Sequence, residues 1–334
     1  MVDGTEMRFD EMLQSPALAE LLGEAVAARS TLSDSFGERN VTLHFDPGVR
    51  VVINRSAGFD SGKPVRLVLY ALPGGNTIEQ TIGRSIQAGD PFHFDIQHIG
   101  AQTRWLRQHL GDANLVVVYL ECAERSWPAW RKKHDPDDRR IARLVDALRG
   151  NFPGQPVFIT LTGHSGGGSF TFGYLNGVGQ IPNDIERIAF LDSNYAYDAA
   201  KGHLAKFSAW LTGPQNPHLC VLAYHDSIAM LNGRTFVSEA GGTWGRSLAM
   251  QADLEKTLPF QRDVDTDWQR FTALDGRVKF FLRENRNKAL LHTRLVEFNG
   301  FIHAMLTGTD LENRDYEYFG PRVYGEWIAP AVRD

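Results

Sequence analysis

The stretch Val157-Phe158-Ile159-Thr160-Leu161-Thr162-Gly163-His164-Ser165-Gly166-Gly167-Gly168 decides the fold. Its first half is an apolar, β-branched run of the kind that forms a strand covered on both faces. It breaks without a spacer into Gly163-His164-Ser165-Gly166-Gly167, and a helix-compatible segment follows through Leu175. A G-x-S-x-G motif at a strand-to-helix junction predicts a sharp elbow that holds the serine on a strained turn. Glycines on either side let neighbouring backbone crowd the bend without Cβ clashes. Ser165 would then stand at the carboxyl edge of a sheet, facing the amides and positive dipole of the next helix. A glycine turn can also cradle phosphate. Here, however, G-x-G-x-x-G is absent and no Lys follows the glycines. The reading is a nucleophilic serine.

The flanking sequence supplies the sheet. Val65–Leu72 and Asn114–Leu120 are nearly continuous apolar runs, as expected of buried parallel strands, and Arg187–Leu191 and His218–Tyr224 repeat the pattern. Helices fall between them. Ile96, Ile99, Thr103, Leu106 and Leu110 share one face up to Gly111, and Ile141, Leu144, Val145 and Leu148 recur from Asp138 to Gly150. A further helix is expected around Ala200–Leu211 and a closing one near Arg322–Ile328. Val41–Phe45 and Val51–Asn54, separated by Asp-Pro-Gly, read as an opening hairpin. Arg277–Arg283 and Leu290–Phe298 read as later strands. Alternating strands and helices predict a doubly wound, mostly parallel α/β sheet with helices on both faces. Residues 1–40 are expected to form an N-terminal helical extension, with an N-capped helix from Ser15-Pro16. Residues 41–334 form one domain, in which 227–275 is an irregular excursion over the active-site edge.

Bulk composition narrows the function classes. Apolar residues make up 43% and charged residues 22% of 334, which suits a globular enzyme with an ample core. A net charge of −5 and a pI near 6.1 leave no basic footprint for nucleic acid. No apolar run reaches the length of a membrane span, and Met-Val-Asp-Gly-Thr-Glu has no secretory pattern, so cytoplasmic location and no membrane partner are expected. Cys122 and Cys220 are expected as reduced core thiols. Neither C-x-x-C nor H-E-x-x-H occurs, and His93 and His98, which flank Asp95, are expected to pack or cap, so no metal and no cofactor are expected.

A serine hydroxyl needs a base, a group that orients the base, and donors for the oxyanion. Of the late histidines, His303 follows the last predicted strand in the Asn299-Gly300 loop and is favoured. His292 falls inside the alternating Leu290–Phe298 run and reads as a strand residue. Asp226, at the end of His218–Tyr224, is preferred as the acid, with Asp192, at the end of Arg187–Leu191, as its competitor. Either carboxylate has the simpler reading of a turn cap. Oxyanion donors are expected at Gly166 and in the Pro73-Gly74-Gly75 loop, at Gly74 and Gly75. Asn76, Trp127, Tyr195 and Trp244 are expected to line the substrate, with core packing as the alternative for each.

With these residues in place, the chain resembles the α/β-hydrolase superfamily over about residues 41–334. The resemblance rests on the Gly163–Gly167 motif, the Pro73-Gly74-Gly75 loop and the order Ser165, Asp226, His303. It implies nucleophile Ser165, acid Asp226 and base His303, working through an acyl-enzyme hydrolysed by water. The His-Gly-Gly-Gly loop of the lipase and esterase branch is missing, and Pro73 stands near the position of that histidine. The expected activity is hydrolysis of a small-molecule or carbohydrate-linked carboxylic ester. A peptidase, amidase or acyltransferase would use the same triad, and a silent binding protein is the reading from another class.

Overall fold

The computed structural model describes residues 6–7, 31–33, 36–152 and 154–331. Its strands, in chain order, are β1 Glu6–Met7, β2 Thr31–Ser33, β3 Glu38–Phe45, β4 Val49–Ser56, β5 Val65–Ala71, β6 Asn114–Cys122 and β7 Val157–His164. They continue with β8 Ile185–Leu191, β9 His218–Tyr224, β10 Met230–Leu231, β11 Arg234–Thr235, β12 Gln261–Val264, β13 Trp268–Ala273 and β14 Val278–Arg283. The helices are α1 Ile78–Ile82, α2 Ile99–His109, α3 Trp127–His134, α4 Arg140–Arg149, α5 Gly168–Gly177, α6 His203–Leu211, α7 Thr243–Glu255, α8 Arg294–Glu297 and α9 Gly300–Leu306.

Apart from β2, which pairs with β3, and the separate β10–β11 hairpin, the strands form one sheet in the order β1-β3-β4-β6-β5-β7-β8-β9-β14-β13-β12. The centre, from β6 to β14, is parallel. The expected opening hairpin is β3 and β4, antiparallel to each other. Side chains alternate between two cores as the pleat requires. In β5, Val65, Leu67, Leu69 and Ala71 belong to the core that α3, α4, α5, α6 and α7 cover, while Val68 and Tyr70 belong to the one covered by α1, α2, α8 and α9. Each such large side chain contributes about 1.5–3 kcal/mol by leaving water. The doubly wound layering expected from the sequence is therefore present. Cys122 and Cys220 are free and lie in opposite cores, across the sheet from each other.

Parallel strands put all their carboxyl ends at one edge. That edge gathers the turns after β5, β6, β7, β8, β9 and β14, which carry residues 72–76, 123–126, 165–167, 192–195, 225–228 and 284–292.

Three local expectations are corrected. Leu290–Phe298 is a loop followed by the short helix α8, because Leu295 and Val296 are adjacent and both buried, where a strand would turn one of them outward. The closing helix near Arg322–Ile328 reduces to a single 3₁₀ turn at Gly325–Trp327. The stretch 227–275 is more regular than expected. It contains α7, and its β12 and β13 lengthen the main sheet in antiparallel fashion. The helix expected from Ser15 lies outside the described residues, while Glu6–Met7 and Thr31–Ser33 pair with β3.

Candidate active site

Ser165 is the first residue after β7, and its backbone lies in the left-handed region at φ +54°. A non-glycine residue there is strained by about 1–2 kcal/mol and persists only when its surroundings enforce it. The enforcement is steric. A Cβ on Gly163 would fall 2.7 Å from the carbonyl oxygen of Ala71, and one on Gly167 would fall 2.1 Å from the same atom. A Cβ on Gly168 would come within 1.9 Å of the Ser193 carbonyl oxygen. The elbow is jammed between the end of β5 and the turn after β8, and the motif glycines are what let it fit. From β3 to β9 and then β14, the main strands lie side by side as first, second, fourth, third, fifth, sixth, seventh and eighth, with this elbow after the fifth. The fold is that of the α/β-hydrolases. Within that fold, only the turns at the same edge stand beside Ser165.

Two histidines, His225 and His292, stand on those turns, and His292 is the one that contacts His164 at the elbow. Its Nδ1 lies 2.5 Å from Asp192 Oδ2. A carboxylate only accepts, so Nδ1 carries the proton and the Nε2 lone pair is left to act as a base. The ring of His292 is 29% exposed, while Asp192 is fully buried. The imidazole packs 4.3 Å from the ring of His164, the residue just before Ser165. The Nε2–H of His164 donates to the His292 backbone oxygen at 3.1 Å. Burial, with the neighbouring His292 adding to it, holds His164 far below the usual histidine range, so it serves as a neutral donor. Asp192 has a left-handed backbone at φ +47°, which a short polar residue tolerates, and its second oxygen accepts a bond from the Thr243 hydroxyl.

The expected pair of His303 and Asp226 is not brought together. His303 is fully buried in α9, against the sheet face instead of at its edge. Its ring is stacked 4.4 Å from Tyr318, its edge meets Phe281, and its Nδ1 is 3.0 Å from the Tyr316 hydroxyl. Burial pushes its pKa down to about 3, so it is a neutral core residue. The apparent loop at Asn299-Gly300 is a tight kink between α8 and α9. Asn299 takes the left-handed turn, and a Cβ on Gly300 would strike the Leu295 carbonyl oxygen at 1.8 Å. Asp226 is 2% exposed in the turn after β9. It accepts from the Thr243 amide at 2.7 Å and the Trp244 amide at 3.4 Å, so it caps the start of α7. Burial and the nearby Asp192 raise its pKa.

The loop after β5 reaches the elbow as expected. The Gly74 nitrogen lies 3.6 Å from where a Cβ on Gly166 would stand. Gly75 is different, because its N–H is already committed to the Arg125 carbonyl at 2.9 Å. Asn76 is 8% exposed, next to the capping box with which Thr77 and Gln80 start α1. Trp127 sits in the core, edge-on to Trp130 and to Phe170 of α5. Trp244 is also buried and stacks on His225 at 4.4 Å. Tyr195 alone of the expected lining residues is half-exposed, and burial together with Asp192 and Asp226 raises its hydroxyl pKa. A cleft of about 400 Å³ walled by Arg66, Glu186, Arg187 and His218 opens at the amino ends of the strands, away from Ser165. Thr243 and His164 are the participants that sequence reasoning missed. Among the described residues, no helix is long and apolar enough to cross a membrane.

No protein-family model and no curated protein matches the chain. Similar solved structures include the siderophore hydrolase EstB from Aspergillus nidulans, at 14% identity and TM-score 0.41 over 81% of this chain and 96% of that one. The feruloyl esterase module from Clostridium thermocellum is 14% identical, with TM-score 0.45 over 86% and 93%. An acetyl xylan esterase from Aspergillus awamori is 11% identical, with TM-score 0.40 over 74% and 92%. The fold assignment rests on the strand order and the elbow, not on these likenesses.

Proposed function

We propose that the protein is a serine hydrolase that cleaves a carboxylic ester through an acyl-enzyme on Ser165. His292 is the general base and acid, and Asp192 is the acid that orients it. One observation carries the reading: a buried carboxylate bonded to an imidazole that packs against the residue preceding a strained, half-buried serine.

In the first half-reaction His292 Nε2 takes the Ser165 Oγ proton as the oxygen attacks the ester carbonyl carbon. The oxyanion that forms is held by the Gly166 and Gly74 amides, near the positive end of α5. Collapse breaks the bond to the alcohol oxygen, which leaves with the proton from His292. Water then repeats the sequence on the acyl-enzyme and releases the acid. Asp192 stabilises the imidazolium in both halves. The buried glycine backbone around Ser165 supports a donor pair that needs no rearrangement during the reaction.

The test is labelling followed by turnover. A fluorophosphonate probe is expected to label the wild type once, on the peptide containing Ser165, and to leave Ser165→Ala unlabelled. The unlabelled wild type is expected to hydrolyse short p-nitrophenyl esters and to lose that turnover on labelling, and a panel with acetylated and feruloylated sugars and matching amides would define the acyl and leaving groups. A folded wild type that takes no label would remove the reading.

A further inference from the structure

Two aspartates, Asp192 and Asp226, stand at the same sheet edge, and only Asp192 reaches His292. The other is fully engaged by α7. Asp226 accepts the Thr243 amide on one oxygen and the Trp244 amide on the other. A Cβ on Gly242 would fall within 2.5 Å of all three carboxylate atoms of Asp226, so glycine is needed there for the acid to sit over the helix start. The first residue of that helix, Thr243, is fully buried and turns its hydroxyl between the two acids. Its oxygen is 3.3 Å from Asp226 Oδ2 and in closer contact with Asp192 Oδ1. A threonine has one hydroxyl proton to give, and the shorter contact assigns it to Asp192. The opposite oxygen of Asp192 holds His292.

We infer that Asp226 and Thr243 are positioning residues for the proposed reaction: Asp226 clamps the first turn of α7, and the Thr243 hydroxyl thereby fixes the Asp192 carboxylate that orients His292. This rests on the assignment of Ser165, His292 and Asp192 above. Fixing Asp192 matters because a carboxylate held at one oxygen only can rotate about its Cβ–Cγ bond, and the imidazole would follow. A charge-assisted bond to a buried anion also restricts it more tightly than a neutral one. Trp244 stacked on His225 and Asn194 bonded to Ser247 tie the same helix to the turns after β9 and β8. The clamp therefore works on a part that is already braced.

The experiment is a double-mutant cycle read on kcat, KM and thermal midpoint with p-nitrophenyl acetate. Thr243→Val keeps the shape and removes the hydroxyl, and it is expected to lower kcat about ten- to a hundredfold while KM stays within about twofold. Thr243→Ser is expected to restore most of the loss. Asp226→Asn is expected to lower kcat in the same direction. The double variant should be no worse than the more damaged single, because both act through one carboxylate. Additive losses, or a Thr243→Val variant with wild-type kcat, would overturn the inference. If Asp226→Asn does not fold, the Thr243→Val and Thr243→Ser pair decides alone. Asp192→Asn separates the two levels. A severe loss there with an intact Thr243→Val variant defeats only the positioning role, whereas a mild loss there defeats the triad assignment itself.

Discussion

Replacing Gly167 with alanine tests the elbow from which every other assignment follows. The added Cβ would lie 2.1 Å from the Ala71 carbonyl oxygen, 2.9 Å from its carbon and 3.1 Å from the Leu72 oxygen. Ordinary contact begins near 3.4 Å, so elbow and strand must part by about 1.3 Å. All three neighbours are backbone atoms of β5 or its immediate continuation, and β5 is paired on both sides, to β6 and β7. No side-chain rotation can relieve the clash. Overpacking of this kind costs about 1–3 kcal/mol, and rigid neighbours put the cost at the upper end. The displaced segment leads directly to Gly74, so the pair of oxyanion donors opens as well. A misplacement of about 1 Å near reacting atoms costs about a hundredfold in rate. Gly167→Ala is therefore expected to lose several degrees of thermal midpoint and about a hundredfold in kcat/KM on p-nitrophenyl acetate. Gly111→Ala, where a Cβ meets nothing within 4 Å, is the control and is expected to change neither. A Gly167→Ala variant with wild-type midpoint and turnover would mean that Ser165 is not held by this crowding.

The remaining predictions address the partners and the buried histidines. Asp192→Asn is expected to lower kcat by about four orders of magnitude, because the imidazole loses its orienting carboxylate, and to do more damage than Asp226→Asn under the same assay. His292→Gln is expected to abolish turnover with little change in thermal midpoint, since the ring is partly exposed. His303→Ala is expected to cost about 2–5 kcal/mol of stability in urea unfolding by emptying an aromatic cage. Folding is expected to weaken as pH falls. His203 is held down to about 4, His218 and His303 to about 3, and His164 far below its usual range. The unfolded chain takes up protons near pH 6.5 that these folded sites refuse, so their stabilisation is complete above about 6.5 and is lost toward the folded values. Each site contributes a slope of at most about 1.4 kcal/mol per pH unit. Asp226, with its pKa raised, opposes them by one proton at most. Urea unfolding between pH 7 and 4.5 measures the sum, and a flat profile would contradict it.

The parts of the fold that were legible in the sequence are those set by local chemistry. The elbow needed only the apolar run before Gly163 and the glycines around Ser165, and the two cores needed only the nearly unbroken apolar runs Val65–Leu72 and Asn114–Leu120, which ask to be covered on both faces. The order of strands was not legible, because nothing in Asn114–Leu120 says that β6 pairs between β4 and β5. The 227–275 stretch misled for a related reason. Trp268–Ala273 has no clean period-two pattern, and only its partner β14 makes it part of the main sheet.

His303 and Asp226 fall away from the proposed base and acid for one physical cause, which is that periodicity reports burial and not position along the sheet axis. His303 satisfied a rule of order, being a late histidine near glycine, yet Gly300 is there to let α9 pack on Leu295 and not to open a loop. His292 reads as a strand residue because its neighbours alternate, although the turn holding it is built by Asn285, whose amide nitrogen bonds the His225 and Ala289 carbonyls while its oxygen accepts from the Ala289 amide. That stitching fastens the turn after β14 to the turn after β9, and so brings His292 back over the edge where Ser165 stands. The proposed acid is the one with lone pairs to spare. Asp226 already receives two backbone amides, whereas Asp192 keeps a whole oxygen for an imidazole. Of the two aspartates at this sheet edge, the one the backbone leaves unsatisfied is the one available to His292, and that choice is made by the amides of Thr243 and Trp244, 17 and 18 residues beyond Asp226 in the chain.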